Sequence, residues 1–481
     1  MKNIERMAVC QSVASSVSWA REEFGTADFG DHRLTTRIES IGASLAEYPA
    51  GKVTDVFHSS ADLEAAYRFV RNERVTTTAI TAAMCEATLH RCVGEPFVYV
   101  ALDGSSLTLT DDARLKNFGV VGAHSKGARG LNVTAALVVT PAGVTMGLSS
   151  LQMWTRGEKL KVSHKKRKFT EKELWHWGEA IDETISRFAE VQDAPKAWFQ
   201  LDREGDAGQL LQKLAASPHY FTARVNHNRR IKSCTGKRRY VLDELARRKA
   251  RKGTYSLYVP PGDKRTERIA EMSVYATKIN LLLRTTPTGQ RFTELPIHAI
   301  RVRESSPVPK GEKPIEWILF TNYPIDSLDD ISLVIHGYGL RWRIEEFFRT
   351  WKTTGCDVES TQLHSTERVR IWATMLAAVS TRIERMKQLA RTRPDAPATI
   401  EFSELELDVL IALKQKWKKK TETIPNVTPR MEDAVRWVAE LGGYTGNSSG
   451  GPPGSVTIRR GLERLESAVE GVKCMRSCGK M

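Results

Sequence analysis

Between Pro96 and about residue 330 the chain alternates short apolar runs, each closed by turn residues, with stretches of helical period; on both sides of that region the period is helical. Such alternation describes an α/β centre between helical flanks. In the centre, "PFVYVALDGSSLTL" and "GLNVTAALVVTPAGVTMGLSSLQMW" read as β-rich, "EKELWHWGEAIDETISRFAEV" as a helix and "AWFQLD" as a short strand entering a loop. "AGQLLQKLAAS" reads as a helix and "YFTARVNH" as a strand. From about 230 to 330 the sequence is strand-like, basic and rich in turns, and reads as a β-rich insertion. "ISLVIHGYGLRWRIEEFFRTWK" returns to helix. The expected division is a helical segment 1–92, an α/β domain 93–365 carrying the insertion, and a helical segment 366–481.

In the first flank, Ile38, Ile41, Leu45 and Tyr48 share a helix face, with Arg33 and Arg37 beside it. Leu63, Ala66, Tyr67 and Val70 share another, with Arg68, Arg71 and Arg74 displaced from it. Arginine-bearing helices of this kind can lie against a duplex; a solvated basic face gives the same pattern. In the last flank, "TERVRIWATMLAAVSTRIERMKQLA" reads as an amphipathic helix.

The balance of 72 Lys+Arg against 57 Asp+Glu gives a net charge of +15, which favours a polyanionic partner. No apolar run is long enough to span a bilayer, and the first residues hold no sustained apolar stretch, so a cytoplasmic protein without a membrane partner is expected. The seven cysteines are scattered, and the close pair Cys474 and Cys478 has no second pair nearby, which speaks against zinc. His124 and His176 have no Cys or His at ligand spacing and read as structural. The basic runs at 163–168, 247–252 and 414–420 fit either non-specific DNA contact or solvated loops.

Three acidic positions carry the chemistry. Asp103 ends the apolar run "FVYVALD" before a Gly-Ser-Ser turn, and Asp202 ends "AWFQLD". Functional sites of α/β sheets gather at strand C-termini, although Asp also ends strands simply by bonding turn amides. The third lies in "YGLRWRIEEFFRTWK", residues 338–352. At about 100° per residue on one helix, Tyr338, Arg341, Glu345 and Lys352 fall within an arc of roughly 60°. Leu340, Ile344, Phe347, Phe348 and Trp351 form the apolar face, and Glu346 points away from both. Ordinary i,i+4 charge pairs would produce the same row.

The row fits Y-(2)-R-(3)-E-(6)-K, and with it the chain resembles the bacterial insertion-sequence DDE transposases that cut and paste DNA. The resemblance continues collinearly through "FGDHRLTTR" (29–37), "AYRFVRN" (66–72), "LDREGD" (201–206), "EWILFTNYPI" (316–325), "ELGGYTG" and "GPPGSVTIRRGLERL". It implies an RNase H-like catalytic core with a β-rich insertion, an N-terminal helical domain that binds transposon ends, and a C-terminal helical domain that dimerises. It places a metal-binding triad on Asp103, Asp202 and Glu345, holding two Mg²⁺ ions with Mn²⁺ as a substitute. It assigns DNA contacts to Tyr338, Arg341, Lys352, Arg349, Arg224 and Trp317 near the cleavage site, and to Arg33, Arg37, Tyr67, Arg68 and Arg71 in the first domain. Trp317 is expected to receive a base moved out of the stack when a hairpin forms. The implied partners are double-stranded DNA, as transposon ends and target, and a second copy of the chain in a two-end complex at the bacterial nucleoid. A catalytically silent end-binding inhibitor is the alternative. Two departures are Phe348, where relatives carry a polar residue, and "DGSS", where they carry threonines.

Overall fold

The computed structural model describes residues 16–111, 116–122, 127–156, 167–233, 239–247, 251–262, 265–284, 291–418, 420, 422–424, 427–446 and 451–478. His124, residues 163–166 and 248–250 of two basic runs, and Lys419 of the third lie outside them.

Four helices open the chain: α1 (Ser16–Phe24), α2 (His32–Glu47), α3 (Ser60–Arg71) and α4 (Thr77–His90). Asp31 caps α2 by accepting from the Arg33 amide, and Thr76 caps α4 through the Ala79 amide. Ile38, Ile41 and Leu45 are buried as their spacing predicts. In α3 the buried residues are Ala66, Phe69 and Val70, while Leu63 and Tyr67 lie at the margin.

The centre follows as β1 (Phe97–Thr108), β2 (Gly119–Val120), β3 (Arg129–Val139), β4 (Thr145–Trp154), α5 (Leu174–Glu190), β5 (Lys196–Leu201), α6 (Gly208–Ala215) and β6 (Tyr220–Arg224). Next come β7 (Arg230–Ile231), β8 (Arg239–Tyr240), α7 (Val241–Arg247), β9 (Gly253–Val259), β10 (Arg268–Arg284), β11 (Phe292–Glu304) and β12 (Glu316–Thr321). All of these strands join one sheet. β4 and β2 lie along β3, and the order then runs β3-β1-β5-β6-β12-β11-β10, with β9 and β7 on the far side of β10. β1, β3 and β4 are antiparallel, β5 and β6 run parallel to β1, and β12 returns antiparallel to β6. The β-rich insertion is therefore an edgewise extension of the central sheet, joined to it where β12 pairs with β6.

Side-chain alternation on β1 sorts the two cores. Val98, Val100 and Leu102 pack with α5, α6 and α7, whereas Tyr99 and Ala101 pack with the helices on the opposite face. Asp103 continues the second set. It lies inside β1, which runs on through the "GSS" expected to be a turn, because β3 pairs with it as far as Thr108.

The glutamate stretch is not one helix. α8 (Leu328–Leu340) stops, residues 341–342 form a tightened turn, α9 (Arg343–Arg349) follows, and a π-helical turn covers Thr350–Thr354. The joint uses i→i+3 bonds, from the Arg341 amide to Tyr338 O at 3.2 Å and from the Ile344 amide to Arg341 O at 3.2 Å. Gly337 explains how closely α8 approaches β1, since a Cβ there would stand 2.2 Å from the Tyr99 ring. Ile344, Phe347, Phe348 and Trp351 are buried as the spacing predicts.

The last part holds α10 (Thr366–Thr392), α11 (Glu404–Trp417), α12 (Met431–Leu441) and α13 (Ser455–Ser477). α10 is buried on all sides from Ile371 to Leu389, not amphipathic as its sequence suggests. It packs against α2, α3 and α4 on one side and α12 and α13 on another, so both helical flanks share one core with a face of the sheet. Its buried charges are paired: Arg385 with Glu401 at 2.6 Å, and Lys387 with Glu384 at 2.5 Å. No helix among the described residues is long and apolar enough to cross a membrane.

Candidate active site

Strand register brings the first two acidic residues together. In the parallel pair, Leu102 stands opposite Leu201, so Asp103 and Asp202 follow at the same level on adjacent strands. By alternation both point to the face that α9 covers. Asp202 lies one residue past the end of β5, as expected, and its carboxylate accepts from the Glu204 amide at 2.7 Å. The turn-capping role considered for this Asp is thus present beside any catalytic one.

Arg341 links the helix to the strand. Its Nη1 donates to Asp103 Oδ2 at 2.9 Å and its Nη2 to Glu345 Oε1 at 2.7 Å. Burial, the nearby Asp202 and, more weakly, Glu345 push the Asp103 carboxyl up to about 6, against the pull of Arg341 and of the Gly104 amide. Burial disfavours the Arg341 charge, but Asp103 and Glu345 outweigh it and hold the guanidinium above its ordinary range. The predicted Arg341–Glu345 charge pair and a shared acidic site are therefore the same object.

Whether these residues suit a metal is a question of donor chemistry. Two carboxylates, Asp103 and Glu345, share the Arg341 guanidinium, and Asp202 follows at the same level on the neighbouring strand. An oxygen-only set of this charge fits a hard divalent ion. Among the described residues no three acidic, His or Cys side chains already stand in a metal-ready cluster. The arrangement present is that of carboxylates drawn toward a guanidinium.

The remaining predicted residues fall in three places. Tyr338 is buried and meets the Trp317 ring edge-on, with centroids 5.9 Å apart. Trp317 lies on β12, and Arg224 on the adjoining β6 donates to Glu316 O at 3.5 Å. Lys352 does not continue the row directly. It lies within the π turn, and its Nζ lies 3.6 Å from Glu359, which also accepts from the Thr108 amide at the end of β1. Arg349 is exposed one helical turn beyond Glu345. The third group sits on α2 and α3. There Arg33 and Arg37 are exposed, Arg71 lies 5.5 Å over the Tyr67 ring, and Arg68 pairs with Glu64 at 2.9 Å. Glu346, expected to point away from the core, is half-buried. It pairs with Arg343 at 2.7 Å and faces Lys387 and Arg391 of α10, which with Arg343 keep its carboxyl low despite burial. His176 stacks on Trp154 at 4.2 Å and bonds Glu179, a structural setting as expected.

Three families of sequence match this chain. Residues 16–75 match the transposase DNA-binding family, 181–382 the transposase DDE domain and 378–481 the transposase Tn5 dimerisation domain. The chain is a DDE transposase. Asp202 and Glu345 lie inside the DDE match, whereas Asp103 lies before it and is tied to them by the strand register and by Arg341. The enzyme carries its own DNA-binding and dimerisation domains, and α2 and α3 belong to the former. DDE domains generally work with divalent metal ions.

Two residues beside the candidate site carried no expectation from the sequence. Trp342 is 60% exposed, beside the Arg341 guanidinium at 5.8 Å. Its wheel position, about 40° from Tyr338 and off the apolar face, was a usable signal. Glu359 had none, because its bond to the Thr108 amide joins segments 251 residues apart in sequence.

Proposed function

We propose that this transposase binds the inverted-repeat ends of its insertion sequence, cleaves them through a hairpin intermediate and joins the 3′ ends to target DNA. The reading keeps the resemblance to the cut-and-paste transposase of the kanamycin-resistance composite transposon. Asp103, Asp202 and Glu345 would hold two Mg²⁺ ions on an RNase H-like core; the strand order β4-β3-β1-β5-β6, with the first three antiparallel and the last two parallel to β1, supports that core. The observation that carries the proposal is the single guanidinium of Arg341 bonded to both Asp103 and Glu345, with Asp202 on the neighbouring strand.

Bound at these carboxylates, a pair of divalent ions would supply an activated water or 3′-hydroxyl and charge neutralisation at the scissile phosphate. The chain's own groups do the rest. Arg341 holds Asp103 and Glu345 at one level and can turn a donor toward phosphate without losing both partners. Lys352 presents a point charge, steadied by Glu359 at the end of β1. Trp317, against Tyr338, offers an aromatic face to a base leaving the stack. Arg33, Arg37, Tyr67, Arg68 and Arg71 would meet end DNA, and α11 to α13 a second copy in a two-end complex. Such a protein works in the cytoplasm, at the nucleoid.

The test is cleavage of DNA carrying the element's ends, in Mg²⁺. Nicked and hairpin products that disappear in Asp202→Ala, with end binding kept, support the enzyme. Binding without any cleavage by the unaltered protein would favour an end-binding inhibitor, and cleavage regardless of end sequence a plain nuclease.

A further inference from the structure

The turn that carries Asp202 is tied down by a second, fully buried aspartate. Asp206 sits four residues on, with no exposed side-chain surface. One oxygen accepts from the Asn226 amide at 2.8 Å and the His227 amide at 2.9 Å, and the other from Arg229 Nε at 2.7 Å. Arg229 also donates to the Asp206 carbonyl. Residues 226–229 are the segment through which the chain leaves β6, just past Arg224, and enters the β-rich extension. Its first residue-neighbour, Val225, is still fixed to β12 by a bond from its amide to Ile318 O at 2.8 Å.

We propose that Asp206 is a positioning residue. It locks the Asp202 turn to the segment after Arg224, so that a metal ligand and a strand bearing a DNA contact keep one geometry. The inference rests on the reading of Asp202 as a metal ligand. Among the described residues nothing else ties the turn to another segment by as many side-chain bonds. The Asp202 side chain bonds only within the turn, to the amides of Glu204 and Gly205, whereas every bond of the Asp206 carboxylate crosses to another segment. Three donors aimed at one buried carboxylate, with a fourth on its backbone carbonyl, exceed what folding a surface turn requires. They suit a support whose loss moves a ligand by a fraction of an ångström. Residues that orient metal ligands from behind typically cost 10–100-fold in metal affinity or activity when replaced.

The experiment compares Asp206→Asn, Arg229→Lys and Asp202→Ala with the unaltered full-length protein. Mn²⁺ binding is measured by calorimetry without DNA, end binding by gel shift without metal, and backbone exchange at 226 and 227 by hydrogen–deuterium mass spectrometry. The expected result for Asp206→Asn is Mn²⁺ affinity weaker by about 10–100-fold, end binding within about twofold, and faster exchange at 226–227. Arg229→Lys keeps the charge and should give a smaller change in the same direction, and it serves if the first variant folds poorly. Asp206→Asn and Arg229→Lys with unaltered Mn²⁺ affinity, while Asp202→Ala loses it, would overturn the positioning role alone. Unaltered Mn²⁺ binding in Asp202→Ala would instead remove the reading beneath it.

Discussion

Replacing Asp103 by Asn should make this protein more stable and, at the same time, inactive. Asp103 is ionised only at a cost in the folded chain. Burial beside Asp202 and Glu345 moves its carboxyl from 3.8 to about 6 even though Arg341 is bonded to it. A shift of about two units corresponds to roughly 3 kcal/mol of stability withheld at pH 8. The sign follows from the direction. A folded-state value above the unfolded one means the folded protein binds the proton more tightly, so the full stability is present below about pH 4 and is lost as pH rises through about 6. Asn stands in for the protonated form at every pH and keeps an oxygen for Arg341. At pH 8, without metal, Asp103→Asn should therefore unfold up to about 3 kcal/mol less readily. For a chain this long, melting as one unit with an entropy of about 1 kcal/mol/K, that is a rise in Tm of about 3 °C. The gap should close between pH 6 and pH 4, and Mg²⁺ at pH 8 should raise the Tm of the unaltered protein but not of the variant. Scanning calorimetry at pH 8 and pH 4 reads all of this. Equal melting at pH 8, or a gap that persists at pH 4, would refute the argument that a crowded buried charge is the cause.

At limiting Mg²⁺, end cleavage should fall as pH drops through about 6, because a proton on Asp103 competes with a metal there; a rate profile at limiting Mg²⁺ flat from pH 8 to pH 5 would contradict this. Gly337→Ala should destabilise the protein by about 1–3 kcal/mol, since the new Cβ meets the Tyr99 ring and α8 must lift from β1, and it should slow cleavage; denaturant melts check the first part. Arg37→Gln, on the exposed side of α2, should weaken end binding and reduce the slope of log K against log salt by about 0.9, with no change in Mn²⁺ affinity.

Much of the α/β centre was legible in the sequence because period-2 alternation and strand-ending turns are local signals. Asp202 fell at a strand end as its flanking residues implied. Asp103 did not, because the pairing of β3 along "GSSLT" is a long-range contact that outweighs the turn preference of Gly and Ser. The place of Asp103 beside Asp202 was not readable from either segment alone; the parallel register supplies it. The helix wheel separated Glu345 from Glu346 correctly with respect to Arg341, yet it assumed a single straight helix. The tight turn at Arg341–Trp342 and the π turn at Thr350–Thr354 break that assumption, which is why Lys352 meets Glu359 instead of extending the row. Glu346 turned out half-buried because α10 packs where solvent was expected. The amphipathic reading of α10 failed for the same reason: Arg385 and Lys387 looked like a polar face, but buried Glu401 and Glu384 receive them.

The most direct test of a shared carboxylate centre needs no knowledge of the end sequence. Fe²⁺ loaded in place of the native ion, with ascorbate and peroxide, cuts the polypeptide backbone next to its ligands. The account predicts scission near Asp103, Asp202 and Glu345 together, suppressed by excess Mg²⁺ and lost at all three in Asp103→Asn. Scission near only one of them, or at sites elsewhere that Mg²⁺ does not suppress, would contradict it.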